Sequence, residues 1–415
     1  MPLLTPHPRR IALPLCPEEA ARRLRARPGF VWLDSPEGAA GLSLLAADPV
    51  RIIRTPLSEP EPLREALAAL GPAPTGDLGL PSAGLIGTID FDGQCCFGVY
   101  PEVLIYVHET GQWWETGRLS QHLQGPAPAA RPAALPEIDF QPLWPKEGFI
   151  AATERALEYI AAGDIYQVNL AQPWQGAWPG GCDAFGYYEA LRAFSPAPHA
   201  AFLDLGGRQI ASASPELFLR LSGRAARTRP IKGTRPRHRR AQDDERAAYD
   251  LLTSPKEIAE LIMITDLERN DLGQVCEFGS VTVADLLKLE RYQQVFHLLS
   301  TVEGSLREEV DHIAALQACF PGGSISGAPK KRALEIIREL EPFPRGLFTG
   351  AIGYLGANDE SQFSIAIRTA IVENGRIHFH AGAGIVADSS PEREYEETWH
   401  KAETLLGAAA WHARQ

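Results

Sequence analysis

The chain has 415 residues, 45% of them hydrophobic and 22% charged, which supports a large buried core and excludes an intrinsically disordered protein. A formal net charge of -12 excludes wholesale binding to nucleic acid or anionic membrane, because neutralising phosphates takes an excess of Lys and Arg. No run approaches the ~20 apolar residues of a membrane span, the opening MPLLTPHPRR has no secretory pattern, and the cytoplasm is the expected compartment.

Residues 1–120 read as short apolar runs between turn signals, such as 30–33, 42–47 and 103–107, giving a strand-rich α+β region. The segment GPAPAARPAALP at 125–136 cannot continue a helix or a central strand, so a linker is expected over 121–145, with the main domain at 146–410. Beyond it, 146–162 has helical periodicity and 164–171 is rich in β-branched and aromatic residues. Further strands are expected at 200–205, 216–221, 350–355, 363–372 and 376–381, with a hairpin turn at Asn374-Gly375. The pattern predicts an α+β fold of packed antiparallel sheets with outer helices, not a doubly wound parallel sheet. The six cysteines, Cys16, Cys95, Cys96, Cys182, Cys276 and Cys319, form no C-x-x-C pair and read as buried thiols.

Several segments carry chemistry. Residues 227–240, RTRPIKGTRPRHRR, concentrate cations in an acidic chain. They read either as a solvated loop or as a setting in which neighbouring positive charge lowers the pKa of Lys232 and makes it a nucleophile. Glu216, in SASPELFL, reads as an edge-strand surface carboxylate or as an acid. Ser254-Pro255-Lys256-Glu257 opens a helix with a capping box, so Glu257 has a structural use as well. Glu257 and Glu260 share a face of that helix, while Ile258, Leu261, Ile262 and Ile264 form its apolar side. A second helix from Ser390-Pro391 carries Glu394 and Glu397 with Lys401 one turn on. Two such carboxylate pairs suit Mg²⁺ if they converge. The run DLERNDLG at 266–273 reads as a helix end whose charges are structural. Gly322, Gly323 and Gly327 precede a helix near Pro329, an anion-binding arrangement. Arg368 reads as a carboxylate clamp or a structural ion pair.

SASPELF, PIKGTRPR, DLERNDLGQV, GGSISGAPK, GAIGYLG, SIAIRTA and AGAGIVADS with its following glutamates stand in the order that identifies the chain as a member of the chorismate-utilising enzymes. The resemblance covers residues 146–405 closely and 1–120 loosely. It implies Mg²⁺ bound directly by Glu260 and Glu397, with Glu257 and Glu394 holding its waters. Chorismate would be held by Arg368, Tyr354 and backbone amides near Gly382 and Gly384. Ser324 and Gly327 would line the ring, with Gln167 and Lys401 among the substrate contacts and His297 near the leaving hydroxyl.

The lysine in PIKGT resembles the aminodeoxychorismate branch, which implies amination at C4 on the route to 4-aminobenzoate and folate. Lys232 would be the nucleophile and Glu216 the general acid. Water-using branches carry a general-base lysine where this sequence has Gln167. No cysteine stands in a glutaminase context, so ammonia is expected from glutamine through a separate amidotransferase subunit, and no lyase domain is expected. Anthranilate synthase chemistry is the alternative. A more distant one is a non-catalytic protein binding nucleic acid through the basic segment.

Overall fold

The computed structural model describes residues 8–35, 41–71, 79–124 and 136–413, with side chains to residue 410. Of the linker expected over 121–145, residues 125–135 lie outside the described residues; the rest is partly ordered, since the short helix Leu119–Leu123 runs into it and the strand Gln141–Pro142 pairs with Trp174 and Gln175. No described helix is long and apolar enough to cross a membrane.

Among the described residues two antiparallel sheets form the centre, one of 12 strands and one of 10. The first runs from Arg9–Ile11 through Gln112–Thr116, Val103–Val107, Leu42–Ala46 and Val31–Asp34. It continues through His199–Leu205, Arg208–Ser214, Thr369–Glu373, Arg376–Ile385 and Gln167–Ala177 to Gly327–Ala328. The second runs from Ile231–Pro236 through Val295–Ser305, Ala225–Arg229, Leu217–Ser222, Glu360–Ile365 and Ala351–Gly356 to Gly84–Ile89, Gln94–Tyr100 and Arg51–Pro56. Strands from the first part of the chain thus complete both sheets, pairing Val31–Asp34 with His199–Leu205 and Gly84–Ile89 with Ala351–Gly356.

The inner faces meet through Val31, Ile105, Leu203, Ile210 and Ile371 of the first sheet and Ile86, Cys96, Ile352 and Tyr354 of the second. Helices close the outer faces, as expected when the outward side of each sheet is apolar as well. Helices Pro17–Leu24, Ala184–Phe194 and Pro391–Ala413 pack Leu24, Phe185, Tyr188 and Leu405 over Trp32, Phe202 and Phe379 of the first sheet. Helices Glu61–Ala69 and His312–Cys319 pack Leu63 and Leu316 over Phe97 and Phe363 of the second. Each buried side chain of this size contributes roughly 1.5–3 kcal/mol.

Local signals explain most element ends. Ser254 accepts from the Glu257 N–H and starts the helix Pro255–Gly273 with proline in its first turn. Asn374 (φ 50°) and Gly375 (φ 70°) both take the left-handed conformation needed for the tight hairpin into Arg376–Ile385. Other expectations are corrected. The basic segment is strand up to Pro236, in Ala225–Arg229 and Ile231–Pro236, because its residues there alternate between sheet partners and ion pairs, and only 237–240 form a loop, exposed from His238 on. Residues 363–372 are not one strand: the chain leaves the second sheet after Ile365 and enters the first at Thr369. Cys16 is exposed and Cys182 only partly covered, so these two are not buried thiols. Ile262, expected on the apolar side of its helix, is exposed.

Candidate active site

Lys232 leaves the strand Ile231–Pro236 at a bulge. Lys232 pairs with Leu298 and Thr234 with His297, so Gly233 is the additional residue. Gly233 has φ +80°, and a Cβ there would lie 2.6 Å from Leu251 Cδ1 and 3.0 Å from Glu257 Oε2. Only glycine lets helix Pro255–Gly273 approach the strand this closely. The Lys232 side chain, 15% exposed, donates from Nζ to the Ser324 carbonyl at 3.4 Å and lies 3.8 Å from Glu260 Oε2. Burial pulls its amine below the ordinary lysine value against the opposing pull of Glu260.

Glu216, immediately before Leu217–Ser222, is buried, which removes the surface-carboxylate alternative. Burial pushes its carboxyl above the usual range, while a hydrogen bond from Ser324 and the charge of Lys232 oppose the rise. Ser324 therefore touches both groups. A buried amine biased toward neutrality beside a buried carboxyl biased toward protonation is the pairing required for nucleophile and acid. His297 is buried with Nδ1 2.9 Å from Thr234 Oγ1. Burial, aided by Arg368, brings its pKa down to about 4, so it is neutral near pH 7.

The four glutamates come from helices Pro255–Gly273 and Pro391–Ala413. Burial pushes the Glu260 carboxyl above the usual range, Lys232 opposes the rise, and Glu257 on its own helix and Glu397 on the other add to it, so the two helices face one site. Cations engage the carboxylates: Lys256 lies 3.9 Å and Lys401 2.6 Å from Glu260 and Glu397, respectively, and Arg235 lies 3.4 Å from Glu257. Among the described residues no three ligating side chains already converge as a chelate. The donor set is nonetheless all carboxylate, as a hard cation prefers, and Glu394 Oε2 is buried without a partner while its Oε1 accepts from Ser389. That orphaned oxygen and the shared acidic face fit a divalent ion.

Lys401 Nζ also donates to the Gly382 carbonyl at 2.8 Å, linking the acidic helix to the strand Arg376–Ile385. Across that strand Gly384 pairs with Asn169, and its missing side chain leaves room for Gln167 Nε2, 3.1 Å from where a Cβ would stand. Both polar atoms of the Gln167 side chain, and Asn169 Oδ1, are buried without protein partners. Gly327 holds φ +146° against the Gln167 carbonyl. Arg368 sits at the sheet-to-sheet crossing with φ 49°. Burial draws its guanidinium down, and among the described residues no carboxylate pairs with it, which leaves the structural ion pair without a partner.

Lys232, Glu216, Ser324, Glu260, Glu397 and Lys401 thus share one site. Gly382 adjoins it through Lys401, with Gly384 and Gln167 further along the same strand pair, and His297 adjoins it through the Lys232 strand with Arg368 beside it. Tyr354 does not. It lines a separate cavity of about 450 Å³ between the sheets with Ser35, Pro198, His199 and Arg220. The reason is strand geometry: Ile352 and Tyr354 share the inward face of Ala351–Gly356. Sequence reasoning also missed Ser324 as a bridge between Lys232 and Glu216; its carbonyl carries no residue-type signal. Three further cations of the basic segment are held by carboxylates, Arg227 by Glu303 at 2.6 Å, Arg229 by Glu290 and Arg237 by Asp244 at 2.9 Å, while Arg239 and Arg240 are exposed.

A family model described as chorismate binding enzyme matches residues 85–407. The anthranilate synthase component 1 of Thermus thermophilus is 46% identical over 301 residues, which are 72% of this chain and 64% of that protein. The aminodeoxychorismate synthase component 1 of Bacillus subtilis is 38% identical over 328 residues, 74% of this chain and 68% of that protein. The chain therefore spans 64% of the length of the Thermus relative. The crystal structure of anthranilate synthase component I from Streptococcus pneumoniae superposes with a TM-score of 0.78 at 32% identity, covering 90% of this chain and 93% of that one.

Proposed function

Since this chain belongs to the chorismate-binding enzyme family, we propose that it aminates chorismate at C4 to give 4-amino-4-deoxychorismate. The observation that supports this reading is the buried Lys232 amine placed between Ser324, Glu260 and Glu216. As a neutral amine Lys232 attacks ring C2; the ring double bonds shift and the C4 hydroxyl leaves as water with a proton from Glu216. Ammonia then attacks C4, the double bonds shift back, and the C2–N bond to Lys232 breaks. Arg368 and the backbone near Gly382 and Gly384 hold a carboxylate of the substrate, and neutral His297 stands toward the departing hydroxyl. Gln167 has an amide and not a basic amine, so it orients a nucleophile without deprotonating water. Glu260 and Glu397, together with Glu257 and Glu394, would hold a magnesium ion, which would supply positive charge for the ring carboxylate. Ammonia is delivered by a glutamine amidotransferase subunit.

Purified protein incubated with chorismate, Mg²⁺ and ammonium is expected to form aminodeoxychorismate, detected by mass, and Lys232→Ala to lose that product. Mg²⁺ is expected to raise the unfolding temperature, and Glu260→Gln with Glu397→Gln to abolish that rise. Unchanged amination in Lys232→Ala defeats the covalent route. The second reading, anthranilate synthesis, draws on the higher identity to the Thermus anthranilate synthase, and direct growth of anthranilate fluorescence would establish it.

A further inference from the structure

Two turns along the helix from Glu260, on the same face, stands Glu268, which the reaction above does not use. It is 4% exposed. Its Oε1 accepts from the Gly323 N–H at 3.0 Å and its Oε2 from the Thr228 hydroxyl at 3.2 Å. Gly323 opens the turn that carries Ser324, and Thr228 lies on the strand that leads through Pro230 into Ile231–Pro236 and Lys232. A Cβ on Gly323 would meet Leu267 Cδ2 at 2.6 Å and Glu268 Oε1 at 3.1 Å, so the turn sits directly against this carboxyl.

We propose that Glu268 is a positioning residue, whose ionised carboxylate clamps the Gly323–Ser324 turn to the Lys232 strand and so aligns Lys232 and Glu216 through Ser324. The inference rests on the proposed chorismate chemistry but not on which product is made. A charged acceptor holds an N–H and a hydroxyl roughly twice as strongly as a neutral one. Protonation turns one oxygen into a donor and loosens the clamp. The groups facing Glu268 are Asp271 on its own helix, Lys330 on the helix Lys330–Leu340, Cys319 on His312–Cys319, and Glu216. Lys330 is bound to Asp271 and donates to the Cys319 carbonyl at 3.0 Å, so it neutralises Asp271 first. Burial, with Asp271 adding to it, pushes the Glu268 carboxyl up to about 7.

The test is kcat for loss of chorismate, with Mg²⁺ and saturating ammonium, for the wild type and Glu268→Gln from about pH 6 to about pH 8.5. The glutamine keeps the shape and the acceptor but cannot ionise. The ratio of wild type to variant is expected to be about 1 at the acid end and to rise roughly five- to tenfold at the alkaline end, with KM for chorismate little changed. Glu268→Leu, with no acceptor, is expected to lose kcat at both ends.

Unfolding temperature supplies an independent reading. The folded-state value lies above the ordinary carboxylate value of 4.5, so wild-type stability falls as pH rises from there through about 7. At the alkaline end Glu268→Gln should therefore melt higher than the wild type while turning over more slowly. A ratio that stays flat with pH, or a change confined to KM, overturns the role of Glu268 alone. Failure of the wild type to consume chorismate at any pH overturns the reading of the site, and this proposal with it.

Discussion

A guanidinium withdrawn from water without a carboxylate partner is costly to a folded protein, and Arg368 is in that position beside His297. The cost is recovered only when an anion arrives. Arg368→Gln should raise KM for chorismate about 10- to 100-fold, from the loss of about 1.5–3 kcal/mol of charge-assisted hydrogen bonding. Its unfolding temperature should stay level or rise, since an unpaired desolvated charge is removed. Steady-state kinetics and thermal denaturation of the same preparation check both halves. A fall of several degrees with KM unchanged would instead make Arg368 a structural cation. The residue was legible in the sequence as an arginine among alternating apolar neighbours; its missing partner was not, because pairing is a property of the folded neighbourhood.

Elements place these residues, and here the sequence was partly readable. The capping signals at Ser254 and the paired glutamates on two helix faces were visible because they are local, and the antiparallel hairpin at Asn374-Gly375 for the same reason. The crossing at Arg368 was hidden. Both sheets bury a face against the same interior, so apolar alternation continues from Phe363 to Val372 even though the strand changes sheet. Tyr354 was misplaced within a motif correctly noticed, because a motif does not state which side of a strand faces the site. The bulge at Gly233 is likewise a matter of pairing. It predicts that Gly233→Ala costs about 1–3 kcal/mol from left-handed strain and in addition pushes Glu257 and Leu251 away from the Lys232 strand. Chemical denaturation should show the stability loss, and the Mg²⁺-dependent rise in unfolding temperature should shrink with it. A variant as stable as the wild type would mean that the bulge relaxes without strain.

At the scale of the whole molecule, the early strands are structural parts of the same two sheets that carry the site. Val31–Asp34 covers the edge of His199–Leu205, and Gly84–Ile89 covers Ala351–Gly356, a strand buried along its whole length. The family match beginning at residue 85 falls on that second covering strand. Removing residues 1–139 would leave both edges with unpaired N–H and C=O groups and strip Val31, Ile86, Cys96 and Ile105 from the inner core. Such open apolar edges pair with other chains. A chain of residues 140–415 should therefore aggregate, eluting in the void volume on size exclusion, and should not consume chorismate. Adding back residues 1–139 during refolding should restore some soluble, active material, since the missing strands have complementary edges to join. A soluble fragment with its own cooperative unfolding transition and unimpaired turnover would show instead that the site's half of each sheet is stable without the strands that now cover it.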